Sequence, residues 1–228
     1  MEKLGTVYGG WVLPCDLNLD ENSIVYSIGV GEDVSFDLLL QSKYNSNIFL
    51  IDPTERALKH FNEIQKYYES NIWQFSGDIQ IDYKEHIEFL NPKFSKFTYL
   101  NVGAWNSTTQ LKFYKQHNPE YVSQSVIQNM FGDEYDIINV TTIKNIMEQN
   151  NHTKIDLVKM DIEGAEIAVL NNMFDDNILP RYLCIEFDLY LKNKDHTNET
   201  QEIIYRLLEK YTILANDDMN MTLQLIEL

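Results

Sequence analysis

Residues 23–52 read SIVYSIGVGEDVSFDLLLQSKYNSNIFLID, and this stretch decides the fold class. Ser23 to Gly29 is a compact apolar run ending in glycine, which predicts a buried strand. Asp33 to Ser42 follows, with Phe36, Leu39 and Leu40 at helical spacing and Asp33 or Ser35 as cap. Asn47 to Ile51 is a second apolar run, closed by Asp52. Strand, helix and strand make one βαβ unit, the crossover that joins parallel strands.

The rest of the chain repeats the alternation. Thr54 to Ser70 predicts a strong helix: Pro53 and Thr54 lie at its start, and Leu58, Phe61, Ile64 and Tyr68 share a face. Ile72 to Phe75 and Phe97 to Val102 read as strands, with a helix or turn at Tyr83 to Leu90 between them. Gln110 to Tyr114 reads as a strand, and Asn118 to Asp136 as a long loop. Thr142 to Gln149 predicts a short helix, Ile155 to Met160 a buried strand and Gly164 to Leu170 a helix. Leu183 to Phe187 is a strand and Glu199 to Lys210 a helix, and the last 18 residues hold two more strands. The expected fold is α/β, a mostly parallel sheet covered on both faces, with a C-terminal antiparallel hairpin. No repeat and no Gly, Ser or Pro-rich linker divides residues 1–228, so one domain is expected.

Open sheets of this kind bind ligands beyond the carboxyl ends of their strands. Gly29 and Gly31 follow the first strand, and Asp52 ends the second, 21 residues after Gly31. That is where a carboxylate grips two ribose hydroxyls. A dinucleotide loop asks for G-x-G-x-x-G, but the third position is Val34. Glu32 and Asp33 would repel a pyrophosphate, yet suit the positive sulfonium and amino groups of S-adenosylmethionine. The loop therefore favours that cofactor over NAD, and argues against a dehydrogenase or epimerase.

A second acidic group stands further on. Asp161 and Glu163 are two apart after a buried strand, so extended backbone points both the same way. Glu186 and Asp188 repeat the arrangement on the next predicted strand. Their convergence would raise one pKa for a general base or hold a divalent cation on Asp161, Glu186 and Asp188. Spacing does not separate these roles.

These residues resemble a known family. Lys159-Met160-Asp161-Ile162-Glu163-Gly164-Ala165-Glu166 is similar to the K-[IM]-D-[IV]-E-G-A-E motif of FkbM-type methyltransferases. Tyr26 to Asp37 resembles the cofactor loop of the branch near methyltransferase-like protein 24, and Tyr8-Gly9-Gly10-Trp11 its leading motif. Phe49 to Thr54 resembles the ribose strand, and Asn101 to Trp105 the segment beside adenine. The resemblance spans roughly Tyr8 to Phe187. It implies a class I, Rossmann-like, S-adenosylmethionine-dependent O-methyltransferase acting on a sugar hydroxyl of a glycan or glycosylated small molecule. It places the cofactor on Ser27, Gly29, Val30, Gly31, Asp33, Ser35, Phe36, Asp52, Pro53, Gly103, Ala104, Trp105 and Asp161. Asp161, Glu163 and Glu186 are the expected catalytic residues. Ser27 stands where the family has an acid, and Asp33 where it has a third glycine, which leaves Asp33 or Asp37 for the methionine amino group. The acceptor is expected between residues 1–22 and the 115–137 loop, against Tyr8, Trp11, Tyr121, Ser123 and Ser125.

Composition sets the bounds. Eighteen Lys and Arg against 35 Asp and Glu give a net charge of −17, which disfavours nucleic acid and anionic membranes as partners. Cys15 and Cys184 are too few for a disulfide framework, and no signal-like or membrane-spanning run is present. A reducing, cytoplasmic setting is expected. A carbohydrate or glycosylated partner is expected, with this chain either a whole protein or a domain of a larger glycan-building enzyme. The alternative is a non-catalytic binding protein that keeps the fold.

Overall fold

The computed structural model describes residues 1–77, 79–118, 123–128, 130–188, 197–217 and 220–226. It begins with β1 (Glu2–Leu4), β2 (Trp11–Leu13), β3 (Ile24–Ile28), α1 (Ser35–Tyr44), β4 (Asn47–Ile51), α2 (Glu55–Ser70) and α3 (Tyr83–Ile87). Then come β5 (Phe97–Leu100), β6 (Gly103–Ala104), β7 (Thr109–Lys115), β8 (Gln124–Ser125), β9 (Tyr135–Thr141) and α4 (Ile143–Gln149). The chain closes with β10 (Leu157–Met160), α5 (Glu166–Asp175), β11 (Tyr182–Glu186), α6 (Thr197–Leu208), β12 (Tyr211–Asp217) and β13 (Asn220–Leu225).

Seven strands form the main sheet in the order β12-β13-β11-β10-β3-β4-β5. Neighbours pair parallel except at β13, which runs antiparallel to β11 and β12. The expected terminal hairpin is therefore present. Strand order reverses between β3 and β10, and a crevice opens there beyond the strand ends.

Alternation along the strands builds two cores. Val25, Ile48, Leu50 and Leu157 pack beneath α1, α2 and α3 with Leu38, Leu40, Phe61 and Ile64. Tyr26, Ile28, Ile51, Val158 and Met160 face the opposite way, toward α4, α5 and α6 with Ile146, Val169 and Leu207. A row of small or polar side chains crosses the first face in register: Ser27, Lys159, Cys184 and Thr222. The helices start where caps allow. The Thr54 side chain accepts from the Ala57 amide, and Thr142 does the same for Asn145.

Two expectations need correction, and one element had no sequence signal. Ile72 to Phe75 is not a strand: Trp73 and Phe75 stack edge-on with each other, and both pack against Tyr67 and Tyr83. Aromatic packing onto α2 wins there over sheet pairing. The stretch read as a loop over 118–136 contains β8 and the start of β9, and residues 119–122 and 129 lie outside the described ones. β6, β9, β7 and β8 form a second sheet whose inward Ile138 and Val140 roof the crevice. The β1–β2 hairpin has three-residue strands, too short for a periodic signal.

Candidate active site

Three strand ends meet at the crevice. The Gly29 amide donates to the Ile51 carbonyl, and the Asp161 amide donates to that of Ile28. Gly29 has a φ of +76°, and a Cβ there would overlap the Asp161 carbonyl, so only glycine fits. Lys159 is buried in β10, and its ammonium donates to the Gly29 carbonyl and lies 3.7 Å from Asp161. One lysine thus joins the glycine loop to the acidic motif.

The crevice is a cavity of about 300 Å³. Gly29, Val30, Gly31, Asp33, Asp52, Pro53, Gly103 and Ala104 line it where the cofactor was expected. Asp161, Glu163, Tyr8 and Ser123 line it as well, with Asp161 directly against Gly29. Other expected residues lie off this surface. Phe36 and Trp11 belong to the core, so the expected acceptor role of Trp11 is corrected: its ring is spent on packing. Ser27 and Ser35 are fully buried, and Ser35 Oγ accepts from the Thr6 amide. Trp105 is not in the cavity wall; its amide continues the β6–β9 pairing to Thr141. Ser125 is buried too, and donates to the Glu163 carbonyl at 2.5 Å, so it shapes the acidic loop instead of facing an acceptor. Tyr121 lies outside the described residues.

Asp52 accepts four hydrogen bonds, two from the glycine loop and two from Thr54. Asp33 accepts from the Ser35 amide at 2.9 Å and from Thr6 Oγ1 at 2.5 Å, so it ties the N-terminal segment across the loop; the cap position of α1 is Val34, not the expected Asp33 or Ser35. Asp37 is buried beneath the loop, where burial pushes it up to about 6 against the pull of Lys159.

The acidic end is dense. Single carboxylate oxygens of Asp161, Glu163 and Asp188 come within 4.8 Å of one another. Glu186 adjoins them from the end of β11. Burial, then repulsion from Asp161 and Asp188, pushes Glu186 up to about 8, and Lys159 opposes the shift. Tyr8 is largely exposed as a residue, but its hydroxyl bonds Ser123 beside this group. Desolvation of that hydroxyl, then repulsion from Asp161, Glu163 and Glu186, pushes it up to about 12. Glu163 takes a φ of +52°, unusual for a residue with a Cβ. Glu166 fixes this turn: its Oε1 accepts the amides of Ile162 and Gly164 at 3.0 and 3.1 Å.

Sequence reasoning assigned no role to Lys159 or Glu166, although both stand in the motif it singled out. It also missed Arg56, whose guanidinium holds Glu32 at the cavity wall. The oxygen-only donor set of Asp161, Glu163 and Asp188 fits a hard divalent cation. Relative to the expected set, Glu163 stands in the place of Glu186. Among the described residues no helix is long and apolar enough to cross a membrane.

Comparison with solved structures gives distant likenesses. A chain of a fibrillarin/Nop5p complex is 10% identical with a TM-score of 0.47, covering 93% of this chain and 76% of its own. A putative rRNA methylase from Clostridium thermocellum is 10% identical with a TM-score of 0.47, covering 92% and 89%. The N-terminal domain of human METTL16 in complex with SAH is 10% identical with a TM-score of 0.38, covering 92% and 65%. No curated protein gives a significant sequence match. The profile of the methyltransferase FkbM domain matches residues 9–212, which include the glycine loop, Asp52, Lys159 and the whole acidic motif. The chain therefore belongs to the FkbM family of S-adenosylmethionine-dependent methyltransferases.

Proposed function

We propose that this protein transfers a methyl group from S-adenosylmethionine to a sugar hydroxyl of a glycan or glycosylated small molecule. The observation that carries the reading is the carboxylate group in which Asp161 and Glu163 line the cofactor cavity and Glu186 and Asp188 stand beside them. A sugar hydroxyl is a weak nucleophile at neutral pH and needs a base. Glu186, with its raised proton affinity, is suited to take that proton, and Asp161 to orient the hydroxyl. The acceptor oxygen then forms a bond to the methyl carbon as the carbon–sulfur bond breaks. The electron pair returns to sulfur, leaving S-adenosylhomocysteine. Tyr8 and Ser123, both in the cavity lining, supply hydroxyls for the acceptor. A divalent cation on Asp161, Glu163 and Asp188 would polarise the same hydroxyl. The two free thiols, Cys15 and Cys184, support a cytoplasmic setting for the protein or for a larger glycan-building enzyme that contains it.

Calorimetric titration with S-adenosylhomocysteine comes first, with NAD as control and with and without magnesium. Rhamnose-like and other glycan acceptors are then screened for methylation. Asp161→Ala should cut turnover by about 10² to 10⁴ while the protein still melts cooperatively. Near-wild-type turnover would remove Asp161 from the mechanism. Absence of S-adenosylhomocysteine binding in every buffer would favour a non-catalytic binding protein.

A further inference from the structure

We propose that the polar cleft beside the cofactor cavity is an acceptor subsite. It holds the uncharged sugar residues next to the one that is methylated, so the acceptor is an oligosaccharide chain and not a single sugar. The inference rests on the sugar-hydroxyl reading above.

The cleft lies between β7, β8 and β9 of the second sheet and residues 53–56 at the start of α2. Its volume is about 990 Å³, roughly three times that of the cofactor cavity. That is the upper end of the range for ligand sites, about 300 to 1,000 Å³, and leaves room for more than one sugar ring. The two spaces adjoin: Pro53, Thr54, Phe113, Gln116, Gln124 and Ile138 line both.

The short strand β8 links the cleft to the reacting groups. On one side of Gln124, Ser123 bonds the Tyr8 hydroxyl. On the other, Ser125 donates to the Glu163 carbonyl at 2.5 Å. Gln124 itself stands opposite Lys115 of β7 and lines both spaces. A sugar whose hydroxyl is held beside Asp161, Glu163 and Ser123 therefore has the cleft as its neighbour past Gln124.

The lining selects an uncharged polyol. Gln116, Asn118 and Gln124 present amides, each both donor and acceptor, which match hydroxyls. The half-buried Phe113 ring offers an apolar face for the C–H side of a sugar. Arg56 and Lys115 in the wall are already paired, with Glu32 and Asp136, each at 2.8 Å. Glu55, Asp133 and Glu134 add negative charge, on a chain whose net charge is −17. That balance works against phosphate, uronate and other anionic ligands.

The test presents the protein, loaded with S-adenosylhomocysteine, to an array that carries the same neutral sugars as mono-, di- and trisaccharides, rhamnose among them. Calorimetry then gives the affinities of the binders. A trisaccharide should bind about tenfold or more tighter than its monosaccharide, and a uronic acid in place of a distal neutral sugar should remove the gain. Asp133→Trp and Glu134→Trp place bulk in the cleft at exposed positions away from the cofactor cavity. Each should bring the trisaccharide down to the affinity of the monosaccharide. Two variants guard against a folding defect in either one, and thermal melts check both. A trisaccharide that binds no tighter than its monosaccharide overturns the proposal. So does a gain that both tryptophan variants keep, or one that a uronic acid keeps. Loss of S-adenosylhomocysteine affinity in both variants would assign the cleft to the cofactor, and overturns it too. An array with no binder of any length is a different result: it strikes the sugar reading itself, and the subsite with it.

Discussion

Gly29 is where the site depends on a single residue. Its backbone is in the left-handed region, its amide serves Ile51, and its carbonyl serves Lys159. The face where a side chain would stand is filled by the Asp161 carbonyl. A methyl group there forces β3 and β10 apart at the point where they meet the cofactor. Gly29→Ala should therefore cost about 2 to 4 kcal/mol of stability and abolish S-adenosylhomocysteine binding. Val30→Ala, next to it and buried, removes two methyl groups without backbone strain and should cost about 1 to 2 kcal/mol. Thermal melts and calorimetry on the two variants separate strain from lost packing. Equal losses would mean that the loop adjusts freely and that the close approach to Asp161 is incidental. Lys159 shows the limit of reading single residues. Its place in the motif is visible in the sequence, but its partners are 130 residues away in Gly29 and two residues away in Asp161, and only the pairing of β3 with β10 joins them.

At the scale of elements, the turn between β10 and α5 sets the acidic end of the cavity. The buried Glu166 carboxyl accepts two amides across that turn, and Ser125 holds the Glu163 carbonyl from the second sheet. Burial, with Asp188 nearby, pushes Glu166 well above the usual carboxylate range, so the neutral form is favoured. A neutral carboxyl and a carboxamide present the same acceptor oxygen. Glu166→Gln should thus cost less than about 1 kcal/mol, and Glu166→Ala about 2 to 4 kcal/mol, because two buried amides lose their acceptor. Urea unfolding of both variants checks this. A glutamine variant as damaged as the alanine one would show that the group works as an ion. The same turn shows what the sequence makes legible. The spacing named Asp161, Glu163, Glu186 and Asp188, and the parallel pairing of β10 with β11 brings them near one another, but Glu163 sits in a left-handed turn beyond β10 and Asp188 beyond the end of β11, so extended-strand geometry does not aim them. Helices with wide apolar faces, such as α2, and runs such as β3 and β4 were legible because each needs only its own apolar spacing. The segment 72–75 was not, because its apolar residues serve an aromatic nest around Tyr67 and Tyr83 instead of a sheet. Nor was the saturation of Asp52, which depends on how far a short side chain sits from loop amides.

The whole molecule carries a charge of −17 and buries several titratable groups, so its stability should depend on pH in a definite direction. Burial, followed by repulsion from Asp161 and Asp188, lifts Glu186 from 4.5 to about 8. Its contribution is fully present below 4.5 and is lost as pH rises through 8. Asp37 is lifted by burial from 3.8 to about 6, so its contribution is lost as pH rises through 6. His60, buried against Tyr83, is lowered by desolvation from 6.5 to about 4. Its contribution is present above 6.5 and is lost as pH falls through 4. Between pH 8 and 6.5 Glu186 is the main one of the three still titrating in the folded state, so acidification over that range should stabilise the fold. Partial exposure of Glu186 limits the gain to about 1 kcal/mol. Below 6.5 His60 opposes the two carboxyls but offsets only one of them, so the three groups together still favour the fold on acidification down to about pH 4.5. Urea unfolding at fixed high salt, which screens the long-range repulsion, isolates these local groups. Glu186→Gln should flatten the limb from pH 8 to 6.5, and His60→Gln should steepen the gain below pH 6.5. A wild-type profile that is level from pH 8 to 6.5, or one that Glu186→Gln leaves unchanged, would mean that the clustered carboxylates are hydrated in solution, and Glu186 would then lose its claim as the base.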